Sequence, residues 1–243
     1  MPRFFLSADR LNESPVIITG EDHLHMSRSL RLREGDAVTV CDGEGNDHLC
    51  KILRFSKEET ELSVIAVSAN ESEMPHRVTL FQAIPKGEKI DYCIQKAVEC
   101  GVFEIVFFES DRTVVRLEGR ETDKKIARWQ KIAESAAKQS GRGRIPLIRI
   151  ASFESLLKEA GEHSLSFFCH TAEGQRSLKT LLREKKPSGA LSFFVGPEGG
   201  FSEEETQAAL DAGIEPVSLG RRILRSETAA HFILACLAYE TEL

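Results

Sequence analysis

The chain contains no C-x-x-C pair, and its six cysteines, at 41, 50, 93, 100, 169 and 236, show no zinc-ligand spacing. A thiolate metal site is therefore not expected, and reduced thiols in a cytosolic protein are the simplest reading. No apolar run approaches the ~18 residues that a bilayer-spanning helix needs. The N-terminus also lacks a signal-peptide core, so an intracellular protein without membrane attachment is expected. Neither G-x-G-x-x-G nor G-x-x-x-x-G-K-[ST] occurs, which removes the two commonest phosphate-cradling loops. Net positive charge is missing too: the formal balance is −6, against a protein that coats nucleic acid.

What is present suffices for a substantial core. The 243 residues are 41% hydrophobic and 29% charged, ordinary for a globular chain of one large or two smaller domains. Residues 1–70 read as a small β-barrel, because short β-prone runs at 3–5, 16–18, 37–40, 48–55 and 61–67 are separated by turn signals such as 42–46. One helical pattern, 21–30, interrupts them. His23 and His25 lie on it two residues apart, facing different ways, and read as incidental. A polar, proline-bearing stretch, 71–76, is the linker candidate. From 77 to 243 apolar strands (78–84, 105–108, 147–150, 165–169, 191–195, 215–218) alternate with helices (87–100, 123–140, 153–160, 177–183, 202–212, 227–239). That alternation predicts an α/β domain with a parallel sheet covered on both faces.

Two glycine-bearing loops stand late in this domain. Gly196-Pro197-Glu198-Gly199-Gly200 follows a buried strand and precedes a helix whose Ser202 and Glu205 have capping-box spacing. The second runs from Leu219-Gly220 to Arg225 and leads into Ser226-Glu227-Thr228. Helix N-termini favour anions, yet Glu198, Glu203, Glu204 and Glu205 crowd the first loop with negative charge and no lysine. A neutral or cationic ligand suits it better than a polyphosphate, and an adenosine carrying a sulfonium fits. A nucleotide-binding fold of the usual kind would place its glycine loop after the first strand. This chain has only Pro85-Lys86-Gly87-Glu88 there.

Charge is unevenly spread. From 112 to 149 eleven basic residues (112, 116, 120, 124, 125, 128, 131, 138, 142, 144, 149) face four acidic ones (118, 121, 123, 134), a candidate phosphate-binding stripe or a solvated helix face. Arg28, Arg31 and Arg33 form a second basic group, either gripping RNA backbone or pairing with Glu34 and Asp36.

The motifs Gly196-Pro197-Glu198-Gly199-Gly200-Phe201, Leu219-Gly220 and Ile223-Leu224-Arg225-Ser226-Glu227-Thr228-Ala229 closely resemble those of the RsmE-type methyltransferases, which modify uracil N3 in small-subunit ribosomal RNA and belong to the SPOUT superfamily. The likeness extends to Arg31-Leu32-Arg33-Glu34-Gly35-Asp36, Lys96-Ala97-Val98-Glu99-Cys100-Gly101-Val102 and Gln139-Ser140-Gly141-Arg142, so it covers essentially the whole chain. Cys100 stands where leucine is more frequent, and Ser226 where alanine is. The resemblance implies a PUA-like RNA-binding barrel at the N-terminus and a C-terminal domain tied in a deep trefoil knot. It also implies S-adenosylmethionine as cofactor, 16S ribosomal RNA as partner, and a homodimer for which Phe232, Ile233, Cys236 and Leu237 could supply the interface.

Methylating uracil N3 requires loss of an imide proton, so alignment and stabilisation of the developing anion can drive it. Arg225, at the end of the second loop, is the first candidate; Arg112 and Arg142 follow as substrate-gripping groups. Arg225 could instead pair with Glu227, and Arg112 with Asp111 or Glu109. Glu198 could face the sulfonium or the substrate, or fix its loop. For the cofactor, Leu219, Ile223 and Leu224 can sandwich adenine. Gly196, Gly199, Gly200 and Gly220 allow close approach, His170 and Thr171 make a third rim, and Arg225, Glu227 and Thr228 complete the set. Arg3, Arg28, Arg31, Arg33, Arg112, Arg142 and Arg144 are the RNA-contact candidates.

Overall fold

A computed structural model describes residues 1–87, 89–113, 120–171, 174–186 and 188–242, excepting the side chains of Arg120 and Glu121. Of the basic stripe, Arg116 and Glu118 lie outside the described residues, as does Glu88. The chain forms two compact units, one of residues 1–73 and 137–145, the other of 74–136 and 146–243. Among the described residues no helix is long and apolar enough to cross a membrane, and no group of three or more His, Cys, Asp or Glu could hold a metal ion.

In the first unit the chain runs through β1 (Arg3–Phe5), α1 (Ala8–Leu11), β2 (Val16–Thr19), α2 (Gly20–Leu24), β3 (Ala37–Cys41), β4 (Asn46–Phe55) and β5 (Glu59–Ala69). The sheet order is β1-β3-β4-β5-β2, with β1 parallel to β3 and every other pairing antiparallel. The β3–β4 hairpin closes because the Asp42 carboxylate accepts the backbone N–H groups of Glu44 at 2.7 Å and Asn46 at 3.0 Å. Gly43 and Gly45 take the positive φ that this turn demands. Phe4, Val38, Val40, Ile52 and Leu62 fill the interior.

The helix expected over 21–30 is split. After α2 the backbone widens into a π-helical turn, His25–Ser29, whose end is closed by the Leu30 N–H donating to the His25 carbonyl at 2.9 Å. His23 is buried, its Nδ1 2.8 Å from the Thr60 hydroxyl. It is a satisfied core residue rather than an incidental one.

The second unit holds β6 (Arg77–Ala83), α3 (Lys89–Glu99), β7 (Glu104–Phe108), α4 (Arg120–Ser140, as far as residue 136), β8 (Leu147–Ile150), α5 (Phe153–Ala160) and β9 (Leu165–Cys169). It continues through β10 (Arg176–Ser177), α6 (Leu178–Lys185), β11 (Ala190–Val195), α7 (Glu203–Asp211), β12 (Glu215–Ser218) and α8 (Ser226–Glu242). The seven strands form one parallel sheet in the order β10-β12-β9-β11-β6-β7-β8. All six expected strands are present. The seventh, β10, has two residues and no hydrophobic run to announce it. Buried strands carrying Phe81, Phe107, Phe167, Phe193 and Phe194 explain why the sequence reads as continuous apolar runs rather than alternation.

Because all strands are parallel, the loops following β12, β9, β11, β6 and β7 emerge at one edge of the sheet, side by side in that order. A ligand site at the carboxyl ends of parallel strands is the general outcome of such an arrangement.

Candidate active site

The loop after β11 is anchored from below. Phe201, which follows it, packs its ring against Phe168 (centroids 5.7 Å), Phe153 (6.0 Å) and Phe108 (6.4 Å). Gly196 lies directly over that ring, and a Cβ there would come within 3.1 Å of it. The chain turns at Gly200, whose φ of +70° favours glycine. The helix that follows begins with the expected capping box. The Glu205 N–H donates to Ser202 Oγ at 3.1 Å, and the Ser202 N–H to Glu205 Oε2 at 2.8 Å.

Glu205 does more than cap. Its carboxylate, almost wholly buried, also accepts the Ser110 hydroxyl at 3.0 Å and the Asp111 N–H at 3.1 Å, while Ser202 Oγ donates to Asp111 at 2.6 Å. The loop after β7 is thereby fixed to the start of α7. Arg112 projects from that loop and donates to the Gly199 carbonyl at 2.8 Å. Glu205→Ala leaves three donors without their acceptor, so a loss of about 3 kcal/mol is expected in urea denaturation. A change under about 0.5 kcal/mol, typical of a plain surface site, would contradict this account of the loop.

The second loop, 219–225, is joined to the first by Ser226. Its hydroxyl donates to the Gly196 carbonyl at 2.8 Å and accepts from the buried Gln82 amide, also at 2.8 Å. Alanine at this position, the more frequent residue in the family the motifs resemble, has no atom for either bond.

Between these loops and the end of β9 lies a cavity of about 550 Å³. Gly196, Glu198, Gly199 and Gly200 line one side; Ile223, Leu224 and Arg225 the other; His170 and Thr171 the third; and Arg112 stands at its margin. A smaller recess of about 130 Å³ shares His170, Thr171, Ile223 and Leu224 and adds Leu219 and Gly220. The structure thus brings together eleven of the thirteen residues expected at the cofactor. Glu227 and Thr228 line neither space.

Ile223 is 86% exposed and Leu224 half-buried, so the apolar wall expected for adenine is open on the Ile223 side. Arg225 is exposed and makes no ion pair among the described residues; Glu227 is engaged by Lys89 at 3.5 Å instead. Arg112 bonds to a loop carbonyl rather than to Asp111, which is held by Ser202. His170 keeps its backbone N–H on the Val217 carbonyl at 3.0 Å, with its ring edge-on to Phe168.

The first loop is less negative than its own residues suggest. Lys89 Nζ lies 3.3 Å from Glu198 Oε1. Burial pushes the Glu198 carboxyl up, but its own backbone N–H, the Lys89 ammonium and the charge of Lys86 together hold it below the usual carboxylate range. Lys89 and Gln82 are site-forming residues that sequence reasoning missed, and for Glu205 it read the capping box but not the tie to Ser110 and Asp111. The readable signal for Gln82 was one amide inside a strand that is mostly apolar from Val78 onward. Burial pushes the Cys93 and Cys169 thiols up to about 12, so neither is a nucleophile at neutral pH.

Among the RNA-contact candidates, Arg28, Arg31 and Arg33 are exposed; Arg28 lies on the π-helical turn and Arg31 in the left-handed region, φ 51°. Arg144 is half-buried. Two others are placed otherwise. Arg3 donates to both oxygens of Asp47, at 2.6 and 2.8 Å, and Arg142 is buried with its guanidinium on Glu73. Both serve the interior of the first unit, since a buried guanidinium is stable only with its carboxylate.

Residues 72–238 match the model of the RNA methyltransferase domain, and residues 18–65 that of the RNA methyltransferase PUA domain. The Ribosomal RNA small subunit methyltransferase E of Bacillus subtilis (strain 168) is 33% identical over 100% of this chain and 98% of that protein. The protein of the same name from Mesomycoplasma hyopneumoniae (strain 232) is 31% identical over 96% of this chain and 97% of its own length. Among solved structures, the Ribosomal RNA small subunit methyltransferase E from Neisseria gonorrhoeae bound to S-adenosyl methionine superposes with a TM-score of 0.89. It is 33% identical, covering 99% of this chain and 98% of that one.

Proposed function

The chain belongs to the family of the ribosomal RNA small subunit methyltransferases E, and we propose that it transfers the methyl group of S-adenosylmethionine to N3 of one uridine in 16S ribosomal RNA. The observation that carries this reading is the cavity between the two glycine loops, which combines an apolar wall with main-chain groups and has arginines on two margins. Its donor set fits the cofactor. Ile223 and Leu224 would hold an adenine by their apolar surface, and the glycine-loop backbone would supply carbonyls and N–H groups for its edge and the ribose. Glu198 would offer a carboxylate to a cationic sulfur from the same cavity wall. When bound, S-adenosylmethionine supplies an electrophilic methyl group.

The protein's own contribution is alignment and charge. Arg225, which lines the cavity, would stabilise the negative charge that spreads over uracil O2 and O4 as N3 loses its proton. Arg112, fixed by the Ser110–Glu205 network, holds the substrate at the opposite margin. His170 orders the end of β9 and needs no proton-transfer role in this scheme. In the first unit, Arg28, Arg31 and Arg33 make the phosphate contacts of the PUA-like domain, and Arg144 is a fourth candidate in the same unit.

The same reading includes a trefoil knot, cytoplasmic action and a homodimer. Sheet order supports the first, since β12 inserts between β10 and β9 and the loops after β11 and β12 are bonded together. An open groove of about 710 Å³ along α6 and α8, with Phe232 and Tyr239 exposed, supports the dimer, whose self-complementary interface needs such a patch. Ile233 and Leu237 are core, unlike Phe232 and Cys236. The test is calorimetry with S-adenosylhomocysteine, followed by nucleoside mass spectrometry of methylated 16S RNA. Micromolar binding and 3-methyluridine are expected. Absence of binding, or methyl on a ribose 2′-oxygen, overturns the assignment.

A further inference from the structure

Lys89 opens α3, on the loop side of β6, where nothing in the cofactor motifs points. Its ammonium lies between two carboxylates from distant parts of the chain: Glu198 Oε1 at 3.3 Å, from the loop after β11, and Glu227 Oε1 at 3.5 Å, from the first turn of α8. Glu198 belongs to one of the two loops that bound the cavity, and Glu227 to the helix that follows the other. They differ in burial. Glu198 is partly exposed, whereas Glu227 is 8% exposed and its second oxygen, Oε2, is buried with no hydrogen-bond partner.

An exposed ion pair contributes little. A buried carboxylate with one cation in reach is different, because deleting the cation leaves a charge without compensation in a poorly solvated place. Lys89 is that cation for Glu227 among the described residues. The other groups beside Glu227 cannot replace it. Burial pushes the Cys93 thiol up, and Glu227 adds to the shift, so the thiol stays neutral. His231, one helical turn along α8, is pushed by burial toward its neutral form.

We propose that Lys89 is a positioning residue for the methyl-donor pocket, its ammonium clasping Glu198 to Glu227 so that the 196–200 loop and the start of α8 close on the donor in one arrangement. The inference rests on the reading of that cavity as the S-adenosylmethionine site. It adds an electrostatic clasp to the Ser226–Gly196 hydrogen bond. Without it, Glu198 and Glu227 repel across the gap and the loops separate.

The experiment compares Lys89→Met, Lys89→Arg and the double variant Lys89→Met/Glu227→Gln by S-adenosylhomocysteine calorimetry and steady-state methylation. Lys89→Met is expected to raise Kd for S-adenosylhomocysteine and KM for S-adenosylmethionine about tenfold, the equivalent of about 1.4 kcal/mol, with KM for RNA unchanged. Lys89→Arg restores most of the affinity, and the double variant part of it, because the uncompensated carboxylate is gone. A role confined to packing predicts neither recovery. Lys89→Gln, which keeps the stem and a polar head, carries the same expectation should the methionine variant not fold. Wild-type affinity in both Lys89→Met and Lys89→Gln, or no recovery in Lys89→Arg, overturns the clasp alone. Failure of the wild-type protein to bind S-adenosylhomocysteine removes the pocket reading and the clasp together.

Discussion

Arg225→Ala is expected to lower the single-turnover methyl-transfer rate by about 10²- to 10³-fold, the range seen when one preorganised donor to a developing anion is removed. Folding and cofactor affinity should hardly change. The side chain is exposed and makes no ion pair among the described residues, so its loss leaves no buried partner stranded. The neighbouring carboxylate, Glu227, has Lys89 as counter-ion and gains nothing from Arg225. The guanidinium's effect is therefore confined to the reacting base, where charge leaves N3 and spreads to the flanking oxygens. Arg225→Lys should recover only part of the rate, because an ammonium cannot present two parallel N–H groups to a planar imide. Two readouts decide the matter: the rate in saturating cofactor and RNA, and the Kd for S-adenosylhomocysteine. A fall below about threefold would remove Arg225 from the chemistry. A loss of cofactor affinity as large as the loss of rate would make it a cofactor ligand.

Much of the site was legible because its residues are adjacent in sequence. Residues 196–200 and 219–225 announced themselves by glycine, by the preceding apolar runs and by the Ser202–Glu205 spacing, and the structure places 196–200 and 223–225 on two sides of one cavity, with 219–220 in the recess beside it. The strands 147–150, 165–169 and 215–218 were readable to the residue because strand and helix patterns alternate strictly there. What escaped depends on pairs far apart in the chain. Lys89 and Glu198 are 109 residues apart, and Gln82 and Ser226 are 144. No local pattern marks such partners. Net charge along a segment misled for the same reason: the acidic turn at 196–205 is balanced by a lysine from α3, and the basic stripe contains an arginine that never reaches solvent. Charge counted along the chain is a statement about surface only when burial is known.

That arginine yields the largest expected loss of stability. Arg142 is 2% exposed, its Nε donates to Glu73 Oε1 at 3.1 Å, and its terminal nitrogen donates to Glu73 Oε2. The Gly143 N–H reaches the same carboxylate at 3.1 Å, and the Arg142 carbonyl accepts from Arg3 at 3.4 Å. Asn70 and Ser72 both donate to the Gly141 carbonyl, at 3.3 and 3.0 Å. Residues 141–143 are thus stitched to the strand-end segment 70–73 by both charge and main chain. There is no slack at Gly143, where a Cβ would lie 2.6 Å from the Asn70 side chain. Arg142→Ala removes one half of a largely buried ion pair and should cost about 3 to 5 kcal/mol in urea denaturation. Its RNA binding, measured on the folded fraction, should keep the wild-type dependence on salt, because a guanidinium held on Glu73 neutralises no phosphate. Arg31→Ala makes the opposite prediction: stability within about 0.5 kcal/mol of wild type. Its slope of log affinity against log salt should be smaller by about 0.7 to 0.9, the counterion release of one phosphate contact. If Arg142→Ala kept its stability and lost salt dependence instead, the Glu73 pairing would not persist in solution and Arg142 would return to the RNA surface.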